Sequence, residues 1–138
     1  MKEIKVGYYE NGNVMYEIPY KNGKKHGVAK WYYENGNIEC ETPYIYGKAH
    51  GLDVWYYENG NIECETPYIY DKIHGVKKKY DENGNLIKEI LYENGNLIKE
   101  ILYENGQIVE LWFSRFGRKI GMVHKNMIKE VSLHADLP

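Results

Sequence analysis

The sequence WYYENGNIECETPYIY occurs at residues 31–46 and again, letter for letter, at residues 55–70 of this 138-residue chain. The tripeptide ENG begins at Glu10, Glu34, Glu58 and Glu82, which gives a constant period of 24 residues. The dipeptide HG follows the same period at residues 26, 50 and 74. Because tandem repeats of this length pack mainly against their neighbours, the sequence predicts a stacked repeat architecture rather than a duplicated catalytic site.

The period changes in the second half of the chain. After Glu82, ENG recurs at Glu93 and Glu104, a step of 11 residues, and the pattern ends near Phe113. The chain length predicts one domain. We therefore expect a single repeat domain over residues 1–138, with 24-residue repeats at about 4–81, 11-residue repeats at about 82–113 and a degenerate C-terminal cap at 114–138. In that cap, residues 116–117 are typical of a turn, 119–123 of a last strand, and 126–133 of either a short helix or a strand.

The segments between the turns predict β-structure. They run for about six to eight residues, a normal strand length, and are rich in Tyr, Trp, Val, Ile and Thr. Asn-Gly supplies the positive φ angles of tight hairpin turns. No segment before Phe113 shows a sustained helical period. The predicted fold is all-β: an elongated antiparallel β-meander of stacked hairpin repeats, with roughly ten strands in a largely single layer.

The length of the ENG loop decides which residues face each other. A two-residue Asn-Gly turn places Trp31 opposite Cys40. The same turn places Tyr33 opposite Ile38, whereas a three-residue loop with a bulged glycine would change the partners of Trp31 and Tyr33. With the two-residue turn, the more apolar face carries Ala29, Trp31, Tyr33, Ile38, Cys40, Thr42 and Tyr44. The opposite face carries Val28, Lys30, Tyr32, Glu39, Glu41 and Pro43, with Lys30 opposite Glu41.

The repeated pattern resembles a known family. The motif YYENGN at 32–37, continued to GKAHG at 47–51, is similar to the bacterial variant of the MORN repeat. The resemblance extends from about Ile4 to Phe113, although Asp71 replaces the glycine seen at Gly47 and the HG turn is lost after Gly75. It implies β-hairpin units stacked into an elongated sheet, without catalytic residues. It also implies a binding role, because some relatives are antitoxin or immunity partners of bacterial toxins and MORN units elsewhere contact proteins or lipids.

The charge balance argues against two classes of partner. The chain has 18 Lys and Arg against 20 Asp and Glu, a net charge of −2, and its only arginines are Arg115 and Arg118. We therefore expect no nucleic-acid binding and no electrostatic attraction to an anionic membrane. The start of the sequence has no apolar stretch long enough for a signal peptide, which predicts a cytoplasmic protein. A protein whose leader peptide had already been removed would begin with the same residues, so that alternative stays open.

The chemically reactive residues do not form a catalytic or metal-binding pattern. Cys40 and Cys64 are repeat equivalents with one strand between them, so they should lie about 10 Å apart, too far for a disulfide. The histidines His26, His50 and His74 should be separated by similar distances, so a shared metal ion is not expected. We expect free thiols, no metal, no cofactor and no enzymatic activity.

Aromatic side chains are the remaining candidate for a binding site. The chain has 15 Tyr and 3 Trp, and a sheet one layer thick has no second sheet to cover them. These rings either cover each other along the sheet or form the contact surface for another protein, such as a toxin, or for a second copy of the chain. The predicted function is a non-catalytic protein–protein interaction module; a lipid-headgroup-binding repeat protein and a structural surface repeat are the alternatives. The candidate contact residues are Tyr16, Trp31, Tyr33, Tyr44, Trp55, Tyr57 and Tyr68.

Overall fold

The computed structural model describes residues 1–115 and 118–124. This part of the chain contains fourteen β-strands and no helix, and all the strands belong to one antiparallel sheet. The predicted all-β fold is confirmed. The strands are β1 Lys2–Tyr8, β2 Val14–Lys21, β3 Lys24–Lys25, β4 Gly27–Tyr32, β5 Ile38–Ile45, β6 Lys48–Ala49, β7 Gly51–Tyr56, β8 Ile62–Ile69, β9 Lys72–Ile73, β10 Gly75–Tyr80, β11 Leu86–Glu93, β12 Asn96–Glu104, β13 Gln107–Arg115 and β14 Arg118–His124.

The sheet is a meander in which strands pair with their neighbours in the sequence. The main path through the described strands runs β1-β2-β4-β5-β7-β8-β10-β11-β12-β13-β14. The three two-residue strands β3, β6 and β9 pair with β2, β5 and β8 respectively. Each of them is separated by a single histidine from the strand that follows, β4, β7 or β10. One strand per repeat is therefore interrupted at the histidine of the HG dipeptide.

The glycine of each HG dipeptide is required by its backbone and by its surroundings. Gly51 has a φ of +118°, which favours glycine strongly. A Cβ atom at this position would lie 2.9 Å from Cγ of Pro43, well inside a normal contact distance. The adjacent His50 amide donates a hydrogen bond to the Pro43 carbonyl at 3.0 Å. The repeated proline and the repeated HG thus form one close backbone contact in each unit.

The ENG turns of the 24-residue repeats are three-residue loops. The amide of Tyr33 donates to the carbonyl of Asn37 at 2.8 Å, and Gly36, with a φ of +93°, donates to the carbonyl of Tyr33 at 3.0 Å. The bulged-glycine alternative is therefore correct here, and the predicted pairing of Tyr33 with Ile38 is wrong: Ile38 pairs with Tyr32. A second irregularity beside Trp31 restores the alignment, so Trp31 still pairs with Cys40, as predicted.

The turns at the opposite edge are two-residue turns. Both central residues have positive φ, as a type I′ turn requires. In Tyr46-Gly47 the values are +44° and +87°, and in Tyr70-Asp71 they are +43° and +69°. Asp71 therefore adopts the conformation of its glycine equivalent, and the sequence departure leaves the turn unchanged. We call the edge formed by these turns the HG edge and the edge formed by the three-residue loops the ENG edge.

The C-terminal part of the sheet continues the meander. The predicted last strand at 119–123 corresponds to β14, which pairs with β13. The predicted turn at 116–117 and the segment 126–133 lie outside the described residues. The assignment of 114–138 as a cap stays a prediction.

Burial is concentrated in two places. Around β4 to β8, the buried side chains are small or polar and lie between larger neighbours: Ala29, Cys40, Thr42, Ala49, Asp53 and Thr66. Further along the chain, Ile101 and Leu111 are buried and contact partly buried apolar residues: Val76, Leu91, Tyr103, Ile108 and Phe113. Because only small side chains are fully buried in the first region, larger rings there remain partly accessible to a partner.

Candidate interaction surface

The ENG edge is held together by hydrogen bonds between successive repeats. The Tyr33 hydroxyl donates to the Tyr56 carbonyl at 2.6 Å, and the Tyr57 hydroxyl donates to the Tyr80 carbonyl at 2.7 Å. The side-chain amide of Asn37 donates to the carbonyl of Glu58 at 2.8 Å. The recurrence of YYENGN is thus explained by contacts between units. The candidate residues Tyr33 and Tyr57 lie at this edge, with their hydroxyls engaged in the stacking.

The HG edge is held together by its histidines. Nδ1 of His26 accepts a hydrogen bond from the Tyr46 amide at 3.1 Å, and the centroids of these two rings lie 4.5 Å apart. His50 and Tyr70 repeat both contacts at 3.2 Å and 4.5 Å. These histidines therefore hold the two-residue turn that ends each unit against the HG dipeptide that begins it. Among the described residues, no group of three or more His, Cys, Asp and Glu side chains could hold a metal ion.

One face of the sheet carries lysine and glutamate side chains, and tyrosine hydroxyls donate hydrogen bonds to several of these glutamates. Lys30 pairs with Glu41 in the register, as predicted. The hydroxyl of Tyr56 donates to Glu41 at 2.8 Å, and that of Tyr80 donates to Glu65 at 2.7 Å. Burial first, and the hydrogen-bonded glutamate second, raise the pKa of Tyr56 and of Tyr80 to about 12. We call this the glutamate face.

The other face carries a continuous row of aromatic and sulfur side chains, and we call it the aromatic face. Tyr16 pairs with Trp31, Trp31 with Cys40, and Cys40 with Trp55. Trp55 then pairs with Cys64, so the two cysteines are two strands apart, and both are free thiols as predicted. Burial is the main cause that raises the pKa of the Cys40 thiol to about 12. Trp55 is 42 % exposed and therefore accessible.

A second row of aromatic rings lies beside the first, towards the HG edge. Tyr44 pairs with Gly27 and Tyr68 pairs with Gly51, so each tyrosine stands opposite a residue without a side chain. Residues two apart on a strand share a face, which places both tyrosines on the aromatic face. The structure thus gathers five of the seven candidate residues on one face: Tyr16, Trp31, Tyr44, Trp55 and Tyr68.

An aspartate on this face was not among the sequence-based candidates. Asp53 is 6 % exposed; its carboxylate accepts hydrogen bonds from the Thr42 hydroxyl at 2.5 Å and from Nε1 of Trp55 at 2.9 Å. Burial first, and the Asp53 charge second, raise the pKa of Tyr44 and of Tyr68. The sequence did contain a signal for this residue: Asp53 replaces Ala29, its equivalent one repeat earlier, in an otherwise similar strand.

The sequence comparison agrees with this geometry. The family model described as MORN repeat variant matches residues 5–22, 25–46, 49–70, 73–94 and 89–105, which is more than half of the chain. The chain belongs to the MORN repeat variant family. Each of the first four matches ends at or beside a two-residue turn, so the MORN units coincide with the hairpins of the sheet. The MORN fold is typically non-catalytic and suggests a repeat-based binding module.

No curated protein matches this MORN variant sequence. No helix within the described residues is long and apolar enough to cross a membrane.

Proposed function

We propose that this MORN variant protein is a non-catalytic protein-interaction module whose aromatic face binds a partner protein. The observation that carries the proposal is the uninterrupted row Tyr16–Trp31–Cys40–Trp55–Cys64 on one face of a sheet that is a single layer in its described part. Tyrosine and tryptophan dominate the binding energy of protein interfaces. Their accessibility on rigid, hydrogen-bonded strands suits them to bind without a large loss of conformational freedom.

The other edges and faces support the choice of this surface. At the ENG edge, the Tyr33 hydroxyl bonds to the following unit, and at the HG edge, His26 bonds to the turn that ends its own unit. On the glutamate face, the tyrosine hydroxyls are paired with glutamates. The aromatic face instead presents the half-exposed indole of Trp55. A toxin neutralised by binding to this face is the specific partner that we propose, in agreement with the family resemblance.

The test removes aromatic area and keeps strand propensity. In Trp31→Thr/Trp55→Thr, two repeat-equivalent rings of the aromatic face are lost, while threonine retains a preference for strands. We expect a folded β-sheet with partner binding weakened by at least about 2 kcal/mol, the usual size of an aromatic hot spot. Affinity is measured by calorimetry with a partner obtained by co-purification from the source cells, and self-association by analytical ultracentrifugation.

A matched control lies on the opposite face. Val28 and Leu52 are also repeat equivalents, each is 47 % exposed, and their register partners Pro43 and Pro67 lie on the glutamate face. Val28→Thr/Leu52→Thr should bind the partner with unchanged affinity. Unchanged binding by the tryptophan variant, or equal losses in the two variants, would refute the aromatic-face proposal. Binding to lipid vesicles without any protein partner would favour the lipid-binding alternative instead.

A further inference from the structure

The second and third repeats, at residues 25–46 and 49–70, place equivalent pairs of rings on the aromatic face, and the first of these pairs already holds a cation. Nζ of Lys25 lies 5.0 Å from the centroid of the Tyr44 ring and 5.9 Å from that of the Trp31 ring. An ammonium group within about 6 Å of a ring centroid is attracted by the electrons of the ring. The protein therefore contains its own example of an ammonium group bound by a tryptophan–tyrosine pair.

The second pair lacks this lysine. Trp55 and Tyr68 lie 24 residues after Trp31 and Tyr44, but the position equivalent to Lys25 is Ala49, whose side chain is too short to reach them. Within the described part of the chain, no lysine or arginine stands over either ring of the second pair. The 42 % exposure of Trp55 agrees with a ring that no side chain covers.

A negative charge accompanies the second pair. Asp53 takes the place of Ala29 in the preceding repeat, and its carboxylate accepts the Nε1 hydrogen bond of Trp55. Its hydrogen-bond donors, the Trp55 indole, the Thr42 hydroxyl and the Cys40 thiol, are neutral. A buried carboxylate without a cationic partner is costly, so an arriving cation would gain from the charge as well as from the rings. Two departures in the same repeat, Ala49 and Asp53, therefore favour the same kind of ligand.

We propose that Trp55, Tyr68 and Asp53 form a binding site for a lysine-type side chain of the partner, equivalent to the place that Lys25 occupies beside Trp31 and Tyr44. A primary ammonium group on an aliphatic chain is the ligand class, because Lys25 shows that this chemistry fits the ring pair. The inference rests on the proposed function, since it supplies the partner's chemistry for the same face. A small-molecule probe tests the site without any partner.

The probe is n-butylammonium chloride, and its neutral counterpart is n-butanol. Titrations at constant ionic strength are followed by NMR through the indole Nε1–H signals of the three tryptophans. We expect a saturable shift of the Trp55 signal with n-butylammonium and no shift of the Trp31 signal. n-Butanol should leave Trp55 unchanged. Equal shifts with the two probes would overturn the cation assignment, because they would show apolar contact alone, and the absence of any shift would overturn the site.

Two reciprocal variants and one isosteric variant test the geometry. Ala49→Lys should supply an internal lysine and weaken probe binding at least about tenfold, whereas Lys25→Ala should uncover the first pair and produce a new shift of Trp31. Asp53→Asn should weaken probe binding by about fivefold while the fold is kept. Unchanged probe binding in folded Ala49→Lys or in Asp53→Asn would refute the assignment. The two proposals can fail separately. If wild-type protein binds n-butylammonium at Trp55 but the partner binds equally well to Trp31→Thr/Trp55→Thr, the proposed function is wrong and the ammonium site stands.

Discussion

Substitution of a single HG glycine tests the backbone contact that defines each repeat. In Gly51→Ala, the new methyl group meets two obstacles: a φ of +118° and a distance of 2.9 Å to Cγ of Pro43. Backbone strain of this kind costs about 1–3 kcal/mol. Overpacking against a ring costs about another 1–3 kcal/mol. We therefore expect Gly51→Ala to lower the free energy of unfolding by about 2–6 kcal/mol.

Gly60→Ala is the matched control. Gly60 also has a positive φ, +91°, but a Cβ atom there meets nothing within 4 Å. The control should lose about 1–3 kcal/mol, from backbone strain alone. In a Pro43→Ala background, Gly51→Ala should then cost no more than the control, because the ring that it meets has been removed.

Urea unfolding, followed by circular dichroism and by tryptophan fluorescence, measures these free energies. Coincident curves from the two probes are needed, since repeat arrays can unfold in parts. Equal losses for Gly51→Ala and Gly60→Ala would refute the reasoning. The same conclusion would follow if the loss at Gly51 were unchanged in the Pro43→Ala background.

Two more predictions follow from the described geometry. Thiol counting in denaturant without reductant should find two free thiols, and a monomer mass lower by two hydrogens would contradict this count. In the folded protein, Cys64 should react before Cys40, because Cys40 is buried and its pKa is raised to about 12. The pKa of Tyr56 and of Tyr80 is raised from 10.0 to about 12, so the folded state holds these protons more tightly than the unfolded state. The contribution of these two protons to the free energy of unfolding should be fully present below pH 10 and should be lost as the pH rises from 10 through 12. Urea unfolding at several pH values measures this change, and a constant free energy of unfolding across that window would be the contrary result.

Strand content and strand order could be predicted from the sequence because they depend on local properties. Regularly spaced Asn-Gly pairs between β-rich runs fix short hairpins, and short hairpins force sequence neighbours to pair. The pairing of Trp31 with Cys40 was predicted correctly, but the pairing of Tyr33 with Ile38 was not. Each strand alternates its faces residue by residue, so a bulge of one residue is enough to change the partners beyond it.

The candidate surface could be predicted in part. The predicted pairing of Trp31 with Cys40, together with alternation along each strand, places Trp31 and Tyr44 on the same face, and both rings contact Lys25 in the structure. The role of Asp53 could not be predicted, because it depends on which side chains reach its carboxylate. The Lys25 contact likewise depends on a long side chain that crosses to a neighbouring strand.

The pentapeptide YENGN shows where the sequence by itself stops being decisive. It occurs at residues 9–13, 33–37, 57–61 and 92–96, and in every place it predicts a hairpin turn. The copy at 33–37 forms a three-residue loop in which only the glycine has a positive φ. The copy at 92–96 forms a two-residue turn, with φ of +50° at Asn94 and +85° at Gly95.

Hydrogen bonds to adjacent hairpins of the sheet decide between these two turns. In the copy at 33–37, the Tyr33 hydroxyl and the side-chain amide of Asn37 donate to carbonyls of the following ENG hairpin. In the copy at 92–96, the Asn94 amide donates to Nδ1 of His74 at 3.1 Å, and the Gly95 amide donates to the Ile73 carbonyl at 2.9 Å. The sequence determined that a turn occurs, because Asn-Gly tolerates positive φ angles. The tertiary structure selected the turn type, because each type directs its amides to the hydrogen-bond acceptors that the adjacent hairpin offers.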